Sequence, residues 1–312
     1  MHIEKRKAGK KTKYYLAHAI RIERKVRKIR VYLGTDKNGV KERKEHAEQI
    51  IKERIKAYEA ISDPFRHALT SREMEGIKSL EAKGSINVRY LSDDEWNRFT
   101  ETFVYDTNAI EGSSVSFTEV KDIIERQKWP AEKEKWEISE TYGVRDAIQH
   151  IRNTKEHISL RLIKELHRIC FRNSKSFAGE FRKKGQEVAV VDGFGRIIHR
   201  GAPASMAVKL LNDLVSWYRK NKGKYTPIVL AVVVHNQFET IHPFADGNGR
   251  VGRLLLNNVL LRHNKPPVNI QMKNRKEYYI ALREYQENGN IKPMIELVLR
   301  EYRSLKRIIQ RK

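Results

Sequence analysis

Cysteine is almost absent from this 312-residue chain. Cys170 stands alone, so no disulfide can form within the chain and no zinc ribbon can be built. Long apolar runs are missing as well. The longest, IVLAVVV at 228–234, falls far short of the ~20 residues a membrane-spanning helix needs, so no membrane partner is expected. The first residues, MHIEKRKAGKK, carry charge but no apolar stretch, and do not read as a secretory signal. Acidic residues are scarce, 39 against 63 Lys and Arg, leaving a net charge of +24. Such an excess favours an anionic partner: a nucleotide, a nucleic acid or an acidic surface. What is present suffices for a core, since 39% of residues are hydrophobic and 9% aromatic, which argues against wholesale disorder. A cytoplasmic protein is the expectation, with oligomeric state left open.

Composition divides the chain. Residues 1–35 hold twelve basic residues against two acidic ones. Within them TKYYLAHAIR and KVRKIRVYLG are strand-like, which predicts a small basic β-hairpin or three-stranded sheet. A linker helix is expected in 36–64, ending at the stop SDP (62–64). The remainder reads as mainly α, in three parts: N-terminal helices over 65–155, a core over 156–262 and C-terminal helices over 263–312. Ser92 with Glu95 forms a capping-box pattern, and Trp96, Phe99 and Phe103 then share one helical face. QEVAVVDGFGRIIHRGAP (186–203) breaks the helical text with two β-branched runs around DGFG, a hairpin signal and a candidate binding flap.

The densest chemistry lies in IHPFADGNGRVGR (241–253). Its glycines match G-x-G-x-x-G, the dinucleotide fingerprint. The setting is wrong, however: HNQFETIHPF separates them from IVLAVVV, the run that could pass for the required strand, and no acid stands in 266–276 to hold a ribose. A phosphate site at a helix N-terminus accounts for more of the residues. Glycines let the backbone approach an anion, and the N–H groups of the first turn point at it. Arg250 and Arg253 share a face of that turn and oppose the helix dipole, a conflict that an anion removes. Asp246 suits Mg²⁺ bridging nucleotide phosphates, and His242 is placed to take a proton from an attacking hydroxyl. His235, seven residues before His242, could suggest a metal pair, but a packing or hydrogen-bonding role is the expectation.

HPFADGNGRVGR resembles the signature of the Fic (Fido) family, H-P-F-x-[DE]-G-N-G-R-x-x-R, at every fixed position. LHRICF, GEFR and the hairpin stand where the family has similar segments, so the likeness spans about 100–300. It implies a Fic-fold helical bundle with a β-hairpin flap, and transfer of AMP from Mg-ATP to a Ser, Thr or Tyr hydroxyl of a target protein or of the chain itself. His242 is then the base and Asp246 the Mg²⁺ ligand. Gly247, Asn248 and Gly249 form the anion hole, Arg250 and Arg253 hold the triphosphate, and the flap aligns the target by strand addition. NRKEYYIALREYQ resembles the adenine wall, which points to Tyr278, Tyr279 and Gln286. TNAIEG (107–112) resembles the family's inhibitory motif, [ST]-x-x-x-E-[GN]. Glu111 would pair with Arg253 and displace the γ-phosphate. Two alternatives remain open: removal of AMP by the same site, and a nucleic-acid-binding regulator that uses residues 1–35 and has a secondary Fic site.

Overall fold

The computed structural model describes the whole chain except residues 10, 23–24, 66, 68, 85–90, 184, 192–196 and 310–312. It divides into two compact units, Met1–Asp63 and Pro64–Lys312.

In the first unit three strands, His2–Ala8 (β1), Lys11–Ile22 (β2) and Lys25–Gly34 (β3), form an antiparallel sheet in the order β1-β2-β3. A bulge shifts the register between Tyr14 and Tyr15. Of the two forms the sequence allowed, the three-stranded one is present. Helix α1 (Lys37–Ser62), capped by Asp36 accepting from the Gly39 amide, packs on β2 and β3. Leu16, Ile29 and Leu33 of the strands and Val40, Ala47, Ile51 and Tyr58 of the helix are buried there. Arg43 and Arg54 tie the helix to the sheet, donating to the main-chain carbonyls of Leu33 and Arg30.

The second unit is helical: α2 (Ser71–Gly84), α3 (Asp93–Ile110), α4 (Phe117–Arg126), α5 (Lys135–Asn153), α6 (Leu160–Phe171), α7 (Ala204–Asn221), α8 (Pro227–Ile241), α9 (Asn248–Arg262), α10 (Arg275–Asn288) and α11 (Lys292–Ile309). Among the described residues a hairpin interrupts it, β4 (Ala189–Val191) paired antiparallel with β5 (Ile197–Arg200). The DGFG turn expected between these strands lies outside the described residues. Both halves of the Ser92–Glu95 capping box are made at the start of α3.

The run 228–234, which could pass for a strand, forms the first half of α8. Its β-branched residues disfavour an isolated helix, but every side chain from Ile228 to Val234 is fully buried. Each larger one contributes roughly 1.5–3 kcal/mol on burial, far more than propensity takes away. A helix apolar on all sides belongs at the centre, and α7, α9, α10 and α11 all pack against α8. Pro227 at its first turn fixes where it begins. Among the described residues no helix is long and apolar enough to cross a membrane.

Candidate active site

Helix α8 stops at His242, which adopts the left-handed conformation (φ 51°, ψ 60°) and donates its main-chain N–H to Phe238 O at 2.9 Å. Left-handed backbone is unfavourable by roughly 1–2 kcal/mol for a residue with a Cβ, so surrounding contacts must hold it. Arg182 supplies them. Its buried guanidinium donates to the carbonyls of His242 (2.8 Å), Gln186 (2.9 Å), Ala202 (2.8 Å) and Ile241 (3.3 Å), and its own N–H to Pro243 O at 2.9 Å. A cation at this spot also satisfies the negative end of the α8 dipole. Nδ1 of His242 lies 3.3 Å from Glu239 O. A carbonyl only accepts, which assigns the proton to Nδ1 and leaves Nε2 as the basic nitrogen.

The following loop is cross-braced by Asn248, whose side-chain oxygen accepts from Phe244 N while its amide nitrogen donates to Phe244 O, each at 2.9 Å. His167 braces it from below. Nε2 donates to Asp246 O at 3.0 Å, Nδ1 accepts from Gly179 N at 2.8 Å, and the ring stacks on Phe244 with centroids 3.8 Å apart. Burial pushes this histidine down to about 4, so it stays neutral and keeps the tautomer those two bonds require. Gly247 caps α9 with φ 78°, where any Cβ would strike the Phe171 ring. No side chain caps the first turn of α9, so its orphan N–H groups look into the cavity.

That cavity, about 100 Å³, is lined by residues from the loop, from α8, α9 and α10, and from the C-terminal end of α3. Glu111, Glu239, His242, Asp246, Gly247, Asn248 and Gly249 are among them, as are Tyr278, Tyr279 and Gln286. Nine of the eleven residues singled out from the sequence thus meet at one place, since of these only Glu239 was not among them. The two remaining, Arg250 and Arg253, are buried in its walls. Arg250 is engaged by the Glu140 carboxylate and stacks over Phe171 at 4.5 Å. Arg253 donates from Nε to Thr107 Oγ1 (2.7 Å) and from Nη2 to Thr107 O (3.0 Å) and to Glu111 Oε1 (2.7 Å). Tyr278 is core as well as wall, its hydroxyl lying 3.0 Å from His235 Nε2 and 3.3 Å from Arg253 Nη1. His235 is therefore a buried hydrogen-bonding residue and not half of a metal pair.

Glu111 reaches the arginine because α3 ends in a Schellman turn. Ser113 N donates to Asn108 O and Gly112 N to Ala109 O, each at 3.0 Å, with Gly112 left-handed at φ 96°. Its carboxylate also lies so close to Gly249 that a methyl group there would collide with it.

Asp246 is half-exposed. Oδ1 accepts from Gly247 N at 2.6 Å and Oδ2 pairs with Lys175 Nζ at 2.8 Å. Burial works to raise its pKa, but Lys175 and Arg250 outweigh that and hold it below the usual carboxylate range. Lys175 continues to Glu140 at 3.3 Å, which completes a chain of alternating charges, Asp246–Lys175–Glu140–Arg250. No group of three or more His, Cys, Asp or Glu arranged to hold a metal ion occurs among the described residues. One carboxylate nevertheless fits Mg²⁺, which is commonly held by one or two carboxylates plus the phosphates of a substrate.

Sequence reading missed several residues here. Glu239 sits one turn before His242, with Oε2 3.8 Å from His242 Nδ1 and Oε1 buried without a hydrogen-bond partner. Complete burial, opposed by Arg253 and reinforced by Glu111, pushes its carboxyl up to about 8. Its i, i+3 spacing from the histidine was the available signal. For Lys175 there was none.

The Fic/DOC family model matches residues 157–260. Protein adenylyltransferase Fic of Aedes aegypti is 31% identical over 201 residues, 62% of this chain and 38% of that protein. Its namesake from Nematostella vectensis is 32% identical over 203 residues, 63% of this chain and 45% of that one. The chain thus matches about two fifths of the length of these relatives. A Fic-domain signaling protein of Bacteroides thetaiotaomicron shares the fold with a TM-score of 0.64 at 22% identity, over 76% of this chain and 95% of that one. Residues 157–260 thus match the Fic/DOC family, and the chain around them is similar to the Fic protein adenylyltransferases.

Proposed function

We propose that this chain transfers AMP from Mg-ATP to a hydroxyl side chain of a protein, itself included, and that Glu111 restrains the transfer. The observation that carries the reading is the meeting of His242, Asp246 and the uncapped N-terminus of α9 in one cavity. Nε2 of His242 takes the proton of the attacking hydroxyl. The hydroxyl oxygen bonds to the α-phosphorus, the bond from that phosphorus to the bridging oxygen breaks, and pyrophosphate leaves. The N–H groups of Asn248 and Gly249 receive the phosphate charge, which the α9 dipole favours. Asp246 would hold Mg²⁺, whose chemistry is to neutralise phosphate charge. Tyr279 and Gln286 would wall the base, and the hairpin beside His242 would align the acceptor segment.

Glu111 supports the restrained form. Its carboxylate lies over the first turn of α9 and holds Arg253, so a terminal phosphate and Glu111 compete for the same guanidinium. Mass spectrometry tests both parts. Glu111→Gly incubated with Mg²⁺ and each nucleoside triphosphate should gain the mass of AMP, from ATP, faster than the parent. Adding His242→Ala should lower that rate by ~10²–10⁴, the usual contribution of a general base. Transfer within twofold of Glu111→Gly would remove His242 from the chemistry. A Glu111→Gly protein no faster than its parent would remove the restraint and leave the catalytic reading standing.

A further inference from the structure

The strands of the N-terminal unit carry a charge that AMP transfer does not use. Residues 1–35 have a net charge of +10, whereas residues 36–63 hold seven basic and seven acidic residues. The excess therefore belongs to the sheet and not to α1. Directly paired residues of an antiparallel sheet project from the same face, so the register sorts these cations. One face pairs Leu16 with Val31 and His18 with Ile29, and there Arg27 stacks over Tyr58 of α1 at 5.1 Å. The opposite face pairs Arg6 with Lys13, Ala19 with Lys28, Ala17 with Arg30, and Tyr15 with both Glu4 and Tyr32.

A single acid organises this second face. Glu4 pairs with Arg6 Nε at 3.0 Å, Lys28 Nζ at 3.0 Å and Arg30 Nε at 2.9 Å. The three cations still reach solvent, with side chains 49%, 37% and 33% exposed, while Glu4 beneath them is 19% exposed. One carboxylate thus spaces three outward cations and leaves the cluster net positive. Beside it the rings of Tyr15 and Tyr32 pack on each other, centroids 5.4 Å apart, with Arg6 over Tyr15 at 5.8 Å. Rings already packed together leave no slot for an unstacked base, although their hydroxyls can donate to phosphate oxygens.

We propose that this face docks on duplex DNA, with the three strands lying in the major groove. Two strand spacings make the sheet roughly 10 Å across, against a groove about 12 Å wide. Three of the four named cations stand on the outer strands, Arg6 on β1 and Lys28 and Arg30 on β3, where the two flanking phosphate backbones would run, and Lys13 stands beside Arg6 on β2. Duplex RNA presents a deep, narrow major groove that a sheet cannot enter.

Fluorescence anisotropy of a short DNA duplex with the full chain tests this. Affinity should fall steeply with salt, by about 10²-fold between 50 and 200 mM if the four cations named on this face each meet a phosphate. Lys13→Ala with Lys28→Ala should weaken binding and reduce the salt slope by about two. Lys28→Arg should bind like the parent, and Glu4→Gln should bind more tightly. Lys52→Ala, an exposed cation of α1, should change nothing. The proposal fails if the double variant binds like the parent or if Lys52→Ala weakens binding as much. Equal or tighter binding of single-stranded DNA or duplex RNA would overturn the groove docking. Binding to anionic vesicles without binding to DNA would overturn the partner.

Discussion

Glu239 is an acid enclosed where a charge has no solvent to meet it. An unfolded glutamate ionises near 4.3, while the folded one keeps its proton up to about 8. Between these values the unfolded chain binds fewer protons than the folded one, so stability falls as pH rises through the window and levels off above it. Glu239→Gln keeps the shape without the titrating proton. Its melting temperature relative to the parent should therefore rise from pH 5 to pH 8; a constant difference would mean that Glu239 ionises as an ordinary carboxyl. His235, pushed down to about 3 by burial, has the opposite sign. Its contribution is complete above ~6.5 and is lost as pH falls toward 3. Neither residue's state could be read from the sequence, because burial on all sides produces it. His242, Asp246 and Glu111 were legible for a different reason: they stand in short strings whose composition no core or surface turn requires. His167 and Arg182 stand in LHRICF and GEFR, strings that the resemblance picked out without giving either residue a role, and only the fold turns them toward the loop that they support.

Helices here pack closest where glycine replaces a side chain. A Cβ on Gly143 of α5 would overlap the main chain of Cys170 in α6, and one on Gly252 of α9 would strike Glu239 and His235 of α8. Backbone cannot rotate aside as a side chain can. Gly143→Ala should therefore force α5 and α6 apart and destabilise the protein by ~1–3 kcal/mol, the usual range for an overpacked core. Urea melts with an unchanged slope and a lower midpoint would show it, and a midpoint equal to the parent's would show that the pair can slide. Periodicity and capping made most helices legible, α3 above all. Helix α8 was not legible from its own residues, since seven apolar and mostly β-branched residues spell a buried strand as readily as a buried helix. Its neighbours decide.

At the scale of the molecule, the cavity residues all lie within Pro64–Lys312 and the cationic sheet within Met1–Asp63. The two proposed activities should therefore separate. Lys13→Ala with Lys28→Ala, placed in the Glu111→Gly background, should leave self-modification by Mg-ATP within twofold, and His242→Ala should leave DNA affinity unchanged. Loss of both by either change would mean that the units work as one. Composition revealed the basic segment, but a count of charges has no direction; the strand register was needed to give it a face. Chain order adds something that a finished structure hides. Glu111 precedes Arg253 by 142 residues, which at 5–20 residues per second is about 7–30 s of synthesis. On the proposed reading, the restraint leaves the ribosome before the loop it restrains, so no nascent protein holds a complete site without its own inhibitor already made.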